Sequence, residues 1–496
     1  MATREGSRLW RLWVIKLLIM KKTVIITIVC IVALSVDAQG INEDFQTYRK
    51  RMLEGYQGFR KNILDDYERF LNGIWDEYAI LAGRKKNIAP KPLIQPEKKV
   101  EETASPQIIS PQEATLSVPI AKDIFAKRQN ATPAIRTNTI SYEWCGMTLQ
   151  LPDANIHDNL IGVDKKNLVA YFEYLNNSRL KNDVLPQVEM IANRTNMNDW
   201  CLCLLIQSYV KIIKAEANES TRNMICWYMM TLCGFDIRLA FNGNRLFYMI
   251  PFQQRVFARN YIMIRDTPYY IYGEGKIEKN EGLSTPQIPD AEVGAKVNAV
   301  MLRPLNIPYH TKRFLHTFAN KTLSVEVNEN LVRVMAQFPQ LSTPAYAITQ
   351  GDTKARNQVL SQMKQFIVGM SEVEAANFLL QFVQSFDYAT DDEQFGYEKP
   401  FYIEETLFYP KCDCEDRAVF YHFLVTNLLG CAVHLVHYPN HECNAVHFSQ
   451  YLNADHYIYN GKQYVICDPT YIGASIGMCM PDFRNTKPEV ELIKIK

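Results

Sequence analysis

The chain has 496 residues, 47% hydrophobic and 22% charged, a balance that suits a folded globular protein with room for two or three domains. Its 54 basic and 53 acidic side chains leave a formal charge of +1, so neither nucleic acid nor an acidic surface is expected as a partner. No phosphate loop, nucleotide fingerprint or basic-aromatic surface is visible, and no cofactor or metal is expected.

Residues 1–39 read as an export signal. Met20-Lys21-Lys22 supplies positive charge, TVIITIVCIVAL from Thr23 to Leu34 is apolar, and Val36 and Ala38 stand at the −3 and −1 positions before Gln39. The apolar run is short for a membrane span. A second basic-apolar stretch, RLWRLWVIKLLIM, makes Met20 the expected start; the competing reading is one long anchor helix through both stretches. The expected location is outside the cytoplasm, either periplasmic or secreted and envelope-associated.

Residues 43–83 predict an amphipathic helix. Apolar residues fall at Phe45, Tyr48, Met52, Tyr56, Phe59, Ile63, Tyr67, Phe70, Ile74 and Tyr78, with spacings 3, 4 and 4 repeated. Eleven residues over three turns lie close to the natural helical pitch, so the stripe runs nearly straight. Such a stripe needs a partner. Either the protein's own domains cover it, or segment 43–80 serves self-association or an envelope partner. Residues 84–134 mix prolines with Lys, Glu, Ser and Gln and read as a disordered linker.

The remainder is expected to be α+β in two similar halves, 135–275 and 354–496, around a β-rich connection at 276–353. Asn198-Asp199-Trp200 opens a helix, and TRNMICWYMMTLCGFDIRLAF reads as helix, glycine stop at Gly234 and strand. EDRAVFYHFLVTNLLGCAVHLV repeats that order around Gly430. Asn460-Gly461 signals a hairpin. Outside Cys30 the chain has eleven cysteines, an odd number that leaves at least one free thiol in the monomer.

Three groups in the second half point to chemistry. Cys414 stands directly before a helix, His441 follows the turn Pro439-Asn440 at a strand start, and Asp468 ends a later strand in Cys467-Asp468-Pro469-Thr470. A thiol at a helix N-terminus meets free N–H groups and the positive dipole end, which favour the thiolate. An imidazole can carry the proton, and a carboxylate can fix its tautomer. His447 is the competing base. A zinc module using Cys412, Cys414, His441, Cys443 and His447 is the rival use of these residues, although structural zinc favours Cys-x2-Cys pairs.

The run CEDRAVFYHFL…YPNHECNAVHF…YVICDPTYIGASIGM resembles the transglutaminase-like, papain-like Cys-His-Asp superfamily, in particular an exported bacterial subgroup. The resemblance implies a nucleophile helix on a small antiparallel sheet; the likeness of the two halves makes the preceding one a degenerate similar half. It implies Cys414 as nucleophile, His441 as base and Asp468 as orienting acid. It further implies thioester-forming acyl transfer, most often hydrolysis, on a protein, peptide or cell-wall peptide. The alternative is a non-catalytic envelope-binding or scaffold protein with a vestigial triad. The Cys414 N–H is the expected first oxyanion donor, with Tyr409 or a neighbour as the second. Overlaying Gly234 on Gly430 sets Asn218 on the cysteine position, Ile250 or its neighbours near the histidine and Gly273 near the aspartate, so the first half lacks the triad.

Overall fold

The computed structural model describes residues 112–118, 138–264, 266–275 and 294–495. The expected export signal, the striped helix over 43–83 and most of the linker lie outside them. Within the expected linker, however, Gln112–Val118 forms strand β1, a departure taken up below.

The first half opens with the hairpin β2 (Thr139–Trp144) and β3 (Met147–Pro152). Helices α1 (Lys165–Asn176), α2 (Leu185–Arg194), α3 (Asp199–Ile213) and α4 (Glu219–Leu232) follow. Asn198 and Asn218 start the last two, their side chains accepting the backbone N–H of Cys201 at 2.9 Å and of Thr221 at 2.8 Å. The chain leaves α4 through Gly234 at φ 93, a conformation that disfavours residues with a Cβ. Strands β4 (Arg238–Asn242), β5 (Arg245–Pro251), β6 (Tyr261–Ile264) and β7 (Thr267–Tyr272) make an antiparallel sheet in the order β4-β5-β7-β6.

Among its described residues the connecting region holds the hairpin β8 (Thr311–Phe318) and β9 (Lys321–Asn328) and two short helices, α5 (Glu329–Met335) and α6 (Thr343–Ile348).

The second half has α7 (Thr353–Phe366), α8 (Glu372–Gln384), the one-turn helices α9 (Asp391–Gln394) and α10 (Ile403–Thr406), and α11 (Cys414–Leu429). Gly430 at φ 69 ends α11. Then come β10 (Ala432–Tyr438), β11 (His441–His447), β12 (His456–Tyr459), β13 (Lys462–Cys467) and β14 (Glu489–Ile495). Asn460 and Gly461 close the β12–β13 hairpin at φ 48 and 75, both positive as a type I′ turn requires. The sheet runs β1-β14-β10-β11-β13-β12, with β1 parallel to β14 and Gln112 opposite Glu489.

The architecture is therefore α+β. Each half sets a helix, a glycine and four strands in the same order: β10-β11-β13-β12 repeats β4-β5-β7-β6. The second sheet is covered on both faces. Val446, Val465 and Cys467 join the large core that includes Phe420 and Leu424 of α11. Val436, Tyr438, Cys443, Ala445, Tyr457, Tyr464 and Ile466 form a separate core with Cys479. The eleven cysteines of the described residues form no disulfide with one another.

Candidate active site

Cys414 is the first residue of α11, and Asp413 is its N-cap. The Asp413 N–H donates to Asp416 Oδ2 at 3.1 Å, fixing the entry of the chain into the helix. An N–H at the first helical position has no carbonyl one turn back to bond, which leaves it available as a donor. The thiol is only 7% exposed and donates to Glu415 Oε2 at 3.0 Å.

The expected thiolate does not follow from this setting. Burial is the main influence pushing the Cys414 thiol well above its usual range, and the charges of Glu415 and Asp413 push it further. The Glu442 backbone N–H acts in the opposite sense. A helix end supplies about half a positive charge, and here two adjacent carboxylates and desolvation outweigh it. The resting group is a neutral thiol.

His441 is the first residue of β11, set there by Asn440 at φ 57 in the turn before it. It is 2% exposed, and its ring stacks on Phe483 at 5.1 Å with planes 4° apart. Its Nε2 lies 2.8 Å from Asp468 Oδ2. Asp468 follows β13 directly, and its Oδ1 accepts the backbone N–H groups of Thr470 at 2.9 Å and Tyr471 at 3.2 Å. Both carboxylate oxygens are committed, so the group cannot rotate away. An ionised carboxylate only accepts, which puts the imidazole proton on Nε2 and leaves Nδ1 with a lone pair. His441 precedes Glu442, whose N–H acts on the Cys414 sulfur, so the start of α11 lies against the start of β11; the thiol itself bonds Glu415 and makes no hydrogen bond to the imidazole.

Two buried side chains hold the Asp468 loop. Gln384 Nε2 donates to the Asp468 carbonyl at 3.1 Å and to Ala474 O at 3.0 Å. Arg417, fully buried one turn into α11, donates to Pro469 O at 3.3 Å and Phe386 O at 2.5 Å. Neither stood out in the sequence. The available signal was a charged residue on the buried stripe of an apolar helix.

The rival residues are occupied elsewhere. Cys412 is buried with its thiol 3.8 Å from Asp387 O. His447, at the far end of β11, bonds Gln463 O through Nδ1 at 2.9 Å. His422 is buried within α11, and burial lowers it to about 4. His456 is buried and bonds Ala454 O at 2.7 Å. Tyr409 stacks on Phe401 at 4.9 Å in a ring cluster with Phe395. Tyr388 has the Arg417 guanidinium over its ring at 5.2 Å, and burial together with the carboxylates of Asp413 and Glu415 raises its hydroxyl. For zinc, Cys443 joins His441 and Asp468 within 4.8 Å, but among the described residues Cys412, Cys414 and His447 belong to no such group.

Comparison of the chain with protein-family models, curated proteins and solved structures gives no match.

The first half holds a different set at the corresponding points. Helix α4 begins at Glu219, so Glu219 matches Cys414 and Asn218 matches the cap Asp413. Strand β5 begins at Arg245, which matches His441; Ile250 lies near its far end. Gly273 follows β7 as Asp468 follows β13. Asn218, Glu219, Arg222 and Arg245 line a cavity of about 390 Å³ there.

Proposed function

We propose that this chain is an exported, transglutaminase-like cysteine enzyme that transfers acyl groups through a thioester on Cys414, chiefly to water. The observation that carries the reading is the His441–Asp468 pair, whose carboxylate is locked by two backbone N–H groups and whose strand end meets the nucleophile helix.

The chemistry runs from a neutral pair. As Cys414 Sγ bonds to an amide carbonyl carbon, its proton passes to His441 Nδ1. The Cys414 N–H and the hydroxyl of Tyr388 hold the oxygen that gains charge. Asp468 steadies the imidazolium. Collapse breaks the C–N bond, and the imidazolium gives its proton to the departing amine. Water, deprotonated by the same nitrogen, then cleaves the thioester and restores the thiol. A second reading, a scaffold with a vestigial triad, draws support from the thiol's bond to Glu415, which holds it away from the base.

Thiol labelling separates the two. Cys414 and Cys479 are buried alike, 7% and 5% exposed, so accessibility alone predicts equal rates. An enzyme site makes iodoacetamide modify Cys414 much faster, as read by peptide mass spectrometry. If Cys414 labels no faster than Cys479, the catalytic reading fails. Profiling peptides and cell-wall fragments with the purified protein then identifies the substrate class.

A further inference from the structure

A cavity of about 210 Å³ opens where three parts of the chain meet. Phe257 and Arg259 come from the first half, Met335 and Phe338 from the connecting region, and Tyr397 and Tyr402 from the segment that leads to α11. The Phe257 N–H donates to Gln340 O at 2.9 Å and the Leu341 N–H to the Tyr346 hydroxyl at 3.2 Å, which ties the wall together. The Tyr402 ring packs on Tyr346 at 4.7 Å and on Phe338 at 6.0 Å, so much of that wall is aromatic. Its charged groups are engaged locally. Lys399 Nζ pairs with Glu405, and the Arg259 guanidinium lies over the Tyr272 ring at 4.0 Å and donates to Ile271 O at 3.2 Å. Exposed Glu398 completes the lining and leads toward the thiol. One of its carboxylate oxygens lies within 4.8 Å of one from Glu415, and Glu415 Oε2 accepts the Cys414 thiol at 3.0 Å. The rim and the sulfur are therefore on the order of 10 Å apart, about three residues of extended chain.

We propose that this cavity holds an aromatic side chain of the acyl substrate, carried by a residue one or two positions from the scissile amide. The assignment rests on Cys414 as the nucleophile. A drug-sized ligand needs about 300–1,000 Å³, whereas an apolar cavity of about 150 Å³ admits benzene, so the size suits a single ring-bearing side chain. A ring entering among rings gains from edge-to-face and offset contact as well as from burial. A charged side chain would give up its hydration to a wall whose own charges are already engaged. Every residue of that wall lies before Cys414, outside the motifs that carry the family resemblance, so the resemblance does not dictate this preference.

The test compares two peptidyl chloromethyl ketones, one with Phe and one with Ala at both residues next to the reactive carbon. Their rates of alkylating Cys414 in the full chain are read by peptide mass spectrometry. The Phe reagent should react at least about tenfold faster, the gain expected from burying one aromatic side chain. Ala336 is exposed and lines the cavity, so Ala336→Trp fills the space at little risk to the fold and should bring the two reagents to nearly equal rates. The comparison in the native chain stands whether or not that variant folds. Equal native rates while iodoacetamide still modifies Cys414 fast, or a Phe preference that survives in folded Ala336→Trp, overturn the pocket and leave the catalytic reading standing. If iodoacetamide finds no fast thiol at Cys414, the catalytic reading fails and the substrate assignment falls with it.

Discussion

Asp468→Asn is nearly the same shape as the native side chain, yet it should disable the base. The two N–H groups of Thr470 and Tyr471 draw an oxygen to the Oδ1 position, at 2.9 and 3.2 Å. The new amide therefore turns its NH2 toward His441 Nε2, which must become an acceptor. The ring proton moves to Nδ1, the nitrogen that has to receive the thiol proton. Flipping the amide restores the right tautomer but leaves two buried N–H donors facing an NH2. At about 1–3 kcal/mol for each unpaired donor, the flip costs about 4 kcal/mol. At about 1.4 kcal/mol per tenfold, that is near a 10³-fold loss of the productive arrangement. The assay is the rate of iodoacetamide labelling at Cys414 near neutral pH, with a melting curve to show that the fold is kept. Labelling within about threefold of the native rate would refute the argument that Asp468 acts by fixing the tautomer.

Three further outcomes are expected. His441→Gln removes fast labelling of Cys414, whereas His447→Gln leaves it unchanged because that ring is spent on Gln463 O; the opposite result exchanges their roles. Glu415→Gln removes a negative charge that raises the thiol, so the thiol ionises at lower pH and the rise in labelling rate moves to lower pH; a pH–rate profile with no downward movement contradicts this. Arg417→Met leaves the carbonyls of Phe386 and Pro469 without their donor and costs about 2–4 kcal/mol by urea unfolding, a loss below about 1 kcal/mol counting against it.

Much of the frame was legible because its causes are local. Asn198 and Asn218 sit where their side chains cap helices, Gly234 and Gly430 where the chain leaves them, and Asn460-Gly461 where a tight hairpin needs two positive φ values. The pairing of His441 with Asp468 could be expected because each stands at a strand end. Other features depend on partners far away in sequence. Strand β1, between Pro111 and Pro119, pairs with the last strand of the chain, so its own composition reads as linker. The state of Cys414 turns on burial and on Glu415, while the sequence displayed only the helix end.

The two halves isolate what the shared topology does and does not supply. Each brings a helix start, a strand start and a strand end to corresponding places. In the first half those places hold Glu219, Arg245 and Gly273. A Cβ on Gly273 would come within 2.8 Å of the Asn223 side chain, and φ there is 111. Asn223 uses its amide to tie the strand ends, donating to Leu246 O at 2.8 Å and Glu274 O at 3.0 Å and accepting the Glu274 N–H at 2.9 Å. The residue four positions into the other helix is Ala418, which has only a methyl. There the strand ends are held instead by Asp468, through its bonds to Thr470, Tyr471 and His441. Joining the strand ends is thus a structural need in both halves. A helix amide meets it in one; in the other a carboxylate does so while also orienting an imidazole. The second solution sets a carboxylate-oriented imidazole at the strand end, so the two halves differ in which side chain performs the tie, not in the fold.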